Sequence, residues 1–142
     1  MADTPRHSVS VAGIVVNDAG QVLVIRRRDN GHWEPPGGVL ELGEQFEEGV
    51  RREVLEETGV TVHVDRLTGV YKNLRAGVVA LVFRCTPLGT ADADSAEAIA
   101  VHWADPTEMA DLMDPAYAIR VTDAFGDSTA TRAHDGVQLV TA

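Results

Sequence analysis

The stretch from Gln45 to Thr58 constrains the rest of the chain. Phe46, Val50 and Val54 recur there at four-residue intervals, the stripe by which an α-helix docks, and Gly59 stands where a left-handed C-cap would end it. So narrow a stripe cannot hold a helix in water alone, so the helix must lie on another layer. The flanking sequence supplies one. "HSVSVAGIVVN" and "QVLVIRRR" precede the helix, and "VTVHVDRLTGVY" and "GVVALVFRC" follow it. All four are rich in β-branched residues and predict strands, the first two joined by a tight turn at "DAG". "DNGHWEPPGGVLELGE" predicts a structured loop, and "PLGTADADSAEA" a polar, acidic connection. "IAVHWAD" predicts a short strand, "PTEMADLM" and "PAYAIRVTDAF" helices, and "GDSTATRAHDG" a mobile loop before "VQLV". Strands on both sides of a central helix, with later helices, predict an α/β sandwich around a mixed sheet. The 142 residues carry no repeat and no long linker, so one domain, 1–142, is expected.

The acid on this helix runs against local physics. Glu53, Glu56 and Glu57 fall at i, i+3 and i+4, which at about 100° per residue puts all three on one face. They crowd the C-terminal half, where the helix dipole disfavours each by about 0.3–1 kcal/mol. Like charges at that spacing repel by a few tenths more. Clustered glutamates ordinarily form a solvated face. These border the apolar stripe, however, and Gly49 lies on the same face one turn earlier, a bare backbone that leaves room for something to sit close. A divalent cation would offset the repulsion, and three hard oxygen donors suit Mg²⁺ or Mn²⁺ better than zinc.

Composition narrows the partners. Acidic residues outnumber basic ones by 22 to 12, a net charge of −10 with no basic stripe, which argues against a nucleic-acid or membrane-surface binder. Phosphate substrates stay open if cations or local arginines neutralise them. Cys85 is the only cysteine, so no internal disulfide can form. It sits in the apolar run "VVALVFRC" and reads as a buried strand residue. No apolar stretch approaches a membrane span and no signal-peptide pattern opens the chain, so a cytoplasmic setting is expected.

The segment "GVLELGEQFEEGVRREVLEETGV", Gly38 to Val60, resembles the Nudix box, G-x5-E-x7-R-E-U-x-E-E-x-G-U with U aliphatic. Every fixed position is met, by Gly38, Glu44, Arg52, Glu53, Val54, Glu56, Glu57, Gly59 and Val60. A looser likeness runs from about residue 8 to about residue 125. The resemblance implies the Nudix fold, an α/β/α sandwich around a mixed β-sheet with the box as a loop–helix–loop. It also implies Mg²⁺-dependent hydrolysis of a nucleoside diphosphate linked to another group, a nucleotide-derived small molecule, with Mn²⁺ as a substitute.

Residue by residue, the resemblance implies Glu53, Glu56 and Glu57 as metal ligands. Gly38 joins that set as the glycine that frees the loop backbone. Arg52, counted with the catalytic groups, and Glu44 look like the pair bracing loop against helix. Glu97, six residues before Trp103 in "SAEAIAVHW", stands where MutT-type members place another acid facing the metal. It could equally be a solvated loop acid, and Asp92 or Asp94 could substitute for it. Metal ions would neutralise the diphosphate and lower the pKa of the attacking water, and a carboxylate not fully engaged would take its proton. Glu53 and Glu97 are the candidates for that role.

On the substrate side, Arg27 resembles the family's strand-end arginine that contacts phosphate, against the alternative of an exposed charge. Trp33 either packs under the loop or walls a base. Tyr117 aligns with the position where MutT-type enzymes that clear 8-oxo-dGTP carry an asparagine. A tyrosine lacks the paired donor and acceptor of an amide, so little preference for oxidised guanine is expected. The main rival is a non-catalytic Nudix-like module that senses a nucleotide or metabolite, and a lesser one is an isomerase on the same scaffold. The complete box argues for hydrolysis. Oligomeric state stays open, a homodimer included.

Overall fold

A computed structural model describes residues 3–90 and 100–141. Strand β1 (Ser8–Val15) lies second from one edge of the larger sheet. It pairs in parallel with β6 (Val78–Thr90) from Ser8↔Val78 to Val15↔Cys85, and antiparallel with β4 (Gly37–Val39). β6 pairs antiparallel with β5 (Val60–Asn73), and β5 pairs in parallel with β8 (Ala130–His134), beside which β9 (Leu139–Val140) closes the edge. The six strands run β4-β1-β6-β5-β8-β9, a mixed sheet. A second, antiparallel sheet places β2 (Val22–Arg26) between β3 (Trp33–Glu34) and β7 (Ala100–Ala104).

The large sheet is covered on both faces because its strands alternate. Val11 and Val15 of β1 pack with Val50 and Val54 of α1 (Phe46–Thr58). Ala12 and Ile14 turn the other way, toward Met109 of α2 (Met109–Leu112) and Val121 and Ala124 of α3 (Pro115–Ala124). This is the expected α/β/α sandwich around a mixed sheet. Val50 and Val54 are fully buried, each worth about 1.5 kcal/mol or more, which outweighs the few tenths by which each glutamate opposes the helix. Gly59 caps α1 as predicted, with φ 75° and its N–H donated to the Leu55 carbonyl.

Four local expectations are corrected. β1 and β2 do not form a hairpin ladder. They meet at a single Val16↔Val22 bridge, above a turn held by the Asn17 side chain, and enter different sheets. Each strand is apolar on both faces and therefore needs a layer on each side, which a two-stranded hairpin cannot provide. β6 continues through Pro87 into what reads as a polar connection. Its pairing with β1 ends at Cys85, so Pro87, which lacks an N–H, faces no ladder partner on that side. The stretch "PTEMADLM" divides into a 3-10 turn (Pro106–Glu108) and the four-residue α2. Finally, the expected loop "GDSTATRAHDG" contains β8, drawn into the sheet by backbone pairing with Gly69–Asn73 and by Thr129 Oγ1 donating to the Leu67 carbonyl. Among the described residues no helix is long and apolar enough to cross a membrane.

Candidate active site

β4 runs alongside β1, and α1 docks against both, so the loop glycines lie over the glutamate face of the helix. The approach is close. A Cβ placed on Gly38 would sit 2.6 Å from the Glu53 carboxylate, so any other residue there must displace that carboxylate. The Gly37 N–H donates to Glu57 Oε1 at 2.8 Å. Only glycine at 38 lets the strand and the carboxylate share this space.

Arg52 organises the acids on the other side. Its Nε and Nη2 donate to the two oxygens of Glu44 at 2.6 and 2.8 Å, the paired geometry that suits a guanidinium, and its Nη1 reaches Glu53 at 2.8 Å and Glu56 at 3.3 Å. Nη2 also donates to the Val39 carbonyl. Arg52 holds Glu44 down at about 2, and the carboxylates raise Arg52 above its ordinary value. Loop and helix are therefore clamped by one cation, the brace expected for Glu44 and Arg52. Glu56 is the most exposed of the three helix glutamates and leans on this clamp.

Glu53 and Glu57 instead line a cleft of about 460 Å³ with Arg27, Arg28 and Gly37 to Val39. Among the described residues Glu57 forms no ion pair, and Arg27 acts on it only through its charge at a distance. Burial first, then the charges of Glu53 and Glu34, push its carboxyl up to about 8 against the opposing hydrogen bond from Gly37. An acid pair left short of positive charge is the arrangement a divalent cation satisfies. Among the described residues no three ligating side chains close a cage. That still fits Mg²⁺, which keeps several waters and takes only one or two carboxylates besides substrate phosphates.

Gly49 differs from the expectation. An added Cβ would lie 2.7 Å from Leu40 Cδ1, 3.0 Å from Glu44 Oε1 and 3.2 Å from Val11 Cγ2. The bare backbone makes room for the loop and β1, not for a metal. Gly49→Leu is accordingly expected to lower stability by about 1–3 kcal/mol through overpacking, despite its gain in helix propensity, as thermal denaturation would report.

The substrate-side residues also gather. Arg27 lines the cleft, but its guanidinium is held by both oxygens of Asp29 at 2.8 Å and by Glu34 at 2.9 Å. Arg27 in turn holds Asp29 at about 2. Trp33 and Tyr117, both half-buried, line one cavity of about 540 Å³ that continues from this region, with Trp33 edge-on to His102. Glu97, with Asp92 and Asp94, lies outside the described residues. Cys85 is buried, its thiol pushed up to about 12 by burial, as suits a core residue.

Two groups escaped the sequence reading. Glu34 lines the Trp33–Tyr117 cavity and binds Arg27. Arg120 is only 7% exposed and lines a third cleft, between the other two, of about 270 Å³. A signal for Arg120 existed: it falls four residues after Ala116 and four before Ala124, on the face of α3 that is otherwise apolar.

Comparison with known proteins agrees with this geometry. Residues 6–125 match the NUDIX domain. A "MutT-like protein" of Streptomyces ambofaciens is 57% identical over 97% of this chain and 90% of its own length. An "ADP-ribose pyrophosphatase" of Methanocaldococcus jannaschii is 39% identical over 58% of this chain and 52% of its own. Among solved structures, a MutT protein from Bacillus halodurans superimposes with a TM-score of 0.72 at 26% identity, covering 94% of this chain and 95% of that one. With the clamped box, the sandwich and these likenesses in agreement, the chain belongs to the Nudix family.

Proposed function

We propose that this chain, as a single domain, is a Mg²⁺-dependent pyrophosphohydrolase acting on a nucleoside diphosphate linked to another group. The observation that carries the reading is Glu57, a half-buried carboxyl with no ion-pair partner among the described residues, lining with Glu53 a glycine-walled cleft. A relative named for pyrophosphatase activity supports the reaction class. Family hydrolases generally use divalent metal, and the hard oxygen donors here favour Mg²⁺, with Mn²⁺ as its substitute. Glu53 and Glu57 would hold the ion, joined by Glu56 and Glu97. When bound, the ion neutralises phosphate charge and makes the attacking water more acidic.

The chain's own groups do the rest. Arg52 fixes Glu53 from one side while Gly38 leaves it room on the other. The Gly37 N–H orients Glu57. The proton of the attacking water passes to a carboxylate, with Glu53 on this face and Glu97, carried over from the family resemblance, the candidates. Arg27 borders the path a phosphate would take, and Trp33 and Tyr117 wall the cavity beyond it.

The test is a screen of purified protein against nucleoside diphosphate derivatives with Mg²⁺, reading phosphate or pyrophosphate release. Turnover of at least one is expected, with loss in excess chelator and recovery on adding Mg²⁺ or Mn²⁺. Full activity in chelator would refute the metal requirement, and no turnover of any substrate would refute the reaction class.

A further inference from the structure

Arg120 carries a charge that no ion pair answers among the described residues. Its Nε is buried without a hydrogen-bond partner, and among the described residues no carboxylate forms an ion pair with it. What surrounds it is aromatic: the guanidinium carbon lies 5.0 Å from the Tyr71 ring centroid and 4.6 Å from that of Tyr117. Among the described residues the one polar approach, Nη2 to His134 Nε2 at 3.4 Å, offers no acceptor either. The Gly136 N–H donates to His134 Nδ1 at 2.9 Å, which places the proton of the neutral ring on Nε2 and sets donor against donor. A buried guanidinium left this way lowers stability, and among the described residues nothing supplies the missing acceptor, which a bound ligand could.

The cleft it lines states what that acceptor is. Arg120 and Tyr117 share its lining with the small or flat Ser10, Ala12 and Pro35, and Glu34 and its partner Arg27 border the same space. Glu34 gives one oxygen to Arg27, and its other has no partner among the described residues. A phosphate in this cleft would meet Glu34's negative charge. A flat neutral ring bearing acceptors on one edge and donors on another would satisfy both charges. A guanidinium fork pairs with O6 and N7 of a 6-oxopurine, whereas a 6-aminopurine sets its N6 donor against it. The cleft also shares Arg27 and Gly37 to Val39 with the Glu53–Glu57 cleft, so a nucleotide with its phosphates there would have its base within reach.

We infer that Arg120 is a specificity-determining residue that reads the O6 and N7 acceptors of a 6-oxopurine base, with Glu34 as the acceptor for ring N–H groups. The inference rests on the nucleotide-hydrolase reading above for its substrate class. It deepens that reading in a definite direction. An 8-oxopurine carries a proton on N7, which removes one of the two acceptors, so this site favours the ordinary base over the oxidised one.

Isothermal titration of the full chain with GMP, AMP and 8-oxo-GMP in metal-free buffer tests this apart from hydrolysis. GMP is expected to bind at least about tenfold more tightly than AMP, and 8-oxo-GMP no more tightly than GMP. Arg120→Met and Arg120→Lys should bring the GMP-to-AMP ratio within about twofold of one. Arg120→Met removes an unanswered buried charge and is expected to melt at or above the wild-type temperature. Arg120→Lys keeps the charge without the fork and serves if the first variant fails to fold. Equal wild-type affinities, a ratio that survives both substitutions, tighter binding of 8-oxo-GMP, or equal losses for GMP and AMP, which would mark a phosphate contact, each overturn the inference. A clear GMP preference in a protein that hydrolyses no nucleotide would leave it standing while the hydrolase reading falls.

Discussion

Glu57→Gln is expected to cut kcat/KM by about two orders of magnitude or more while making the metal-free protein more stable. The glutamine keeps an oxygen for the Gly37 N–H, so the local structure survives, but the charge that would hold a cation is gone. The stability gain follows from a carboxyl raised from 4.5 to about 8. Below pH about 4.5 both folded and unfolded chains hold the proton and the group costs nothing. Between there and about 8 the folded chain keeps the proton while the unfolded one releases it, so stability falls as pH rises, and above 8 the full cost remains. Discounted for its partial exposure, that cost is on the order of 2 kcal/mol, or roughly 5 °C in Tm. Melting curves in chelator should therefore show the variant and wild type nearly level at pH 5 and well separated at pH 8.5. A gap that does not widen with pH, or undiminished turnover, would count against the assignment.

Gly38→Ala should be nearly as damaging to catalysis for an unrelated reason. The new methyl would stand 2.6 Å from Glu53, whose carboxylate is tied to Arg52 at 2.8 Å and cannot retreat without breaking that bond. A displacement near 1 Å can cost about a hundredfold in kcat/KM, and weaker Mg²⁺ binding by calorimetry should accompany it. Gly43→Ala is the control: a Cβ there meets nothing within 4 Å and should leave kinetics at the wild-type level. Equal behaviour of the two variants would mean that the close approach at Gly38 has no part in the reaction.

The sequence made α1 legible because three independent signals coincide there: the apolar stripe, the glycine cap, and a run of charged residues spaced to meet one another. The Glu44–Arg52 clamp followed from the box resemblance, and the paired 2.6 and 2.8 Å bonds are its physical form. β8 stayed hidden because its stability lies in backbone pairing to β5 and in Arg132, not in apolar side chains. The parting of β1 and β2 was illegible because a bridge and a ladder begin with the same turn. Gly49 was misassigned because a helical wheel shows which residues share a face but not what packs against it; Leu40, six residues ahead of Phe46 in a loop, does so. Arg120 was passed over because a single arginine on an apolar face reads as an exception until its lack of a partner is seen.

Strand β8 has a reach beyond its own edge of the sheet. Asp123 on α3 accepts from the Tyr71 hydroxyl at 2.7 Å and from Arg132 twice at 2.8 Å, so β5 and β8 together fix the pitch of the helix that presents Tyr117 and Arg120. Drift at Arg132, remote from the Glu53–Glu57 face, would tilt that helix and alter which base the protein accepts, with every box residue unchanged. Substrate preference and bond-breaking chemistry can thus evolve at different addresses in this chain, and relatives that share the box intact can part company in what they hydrolyse.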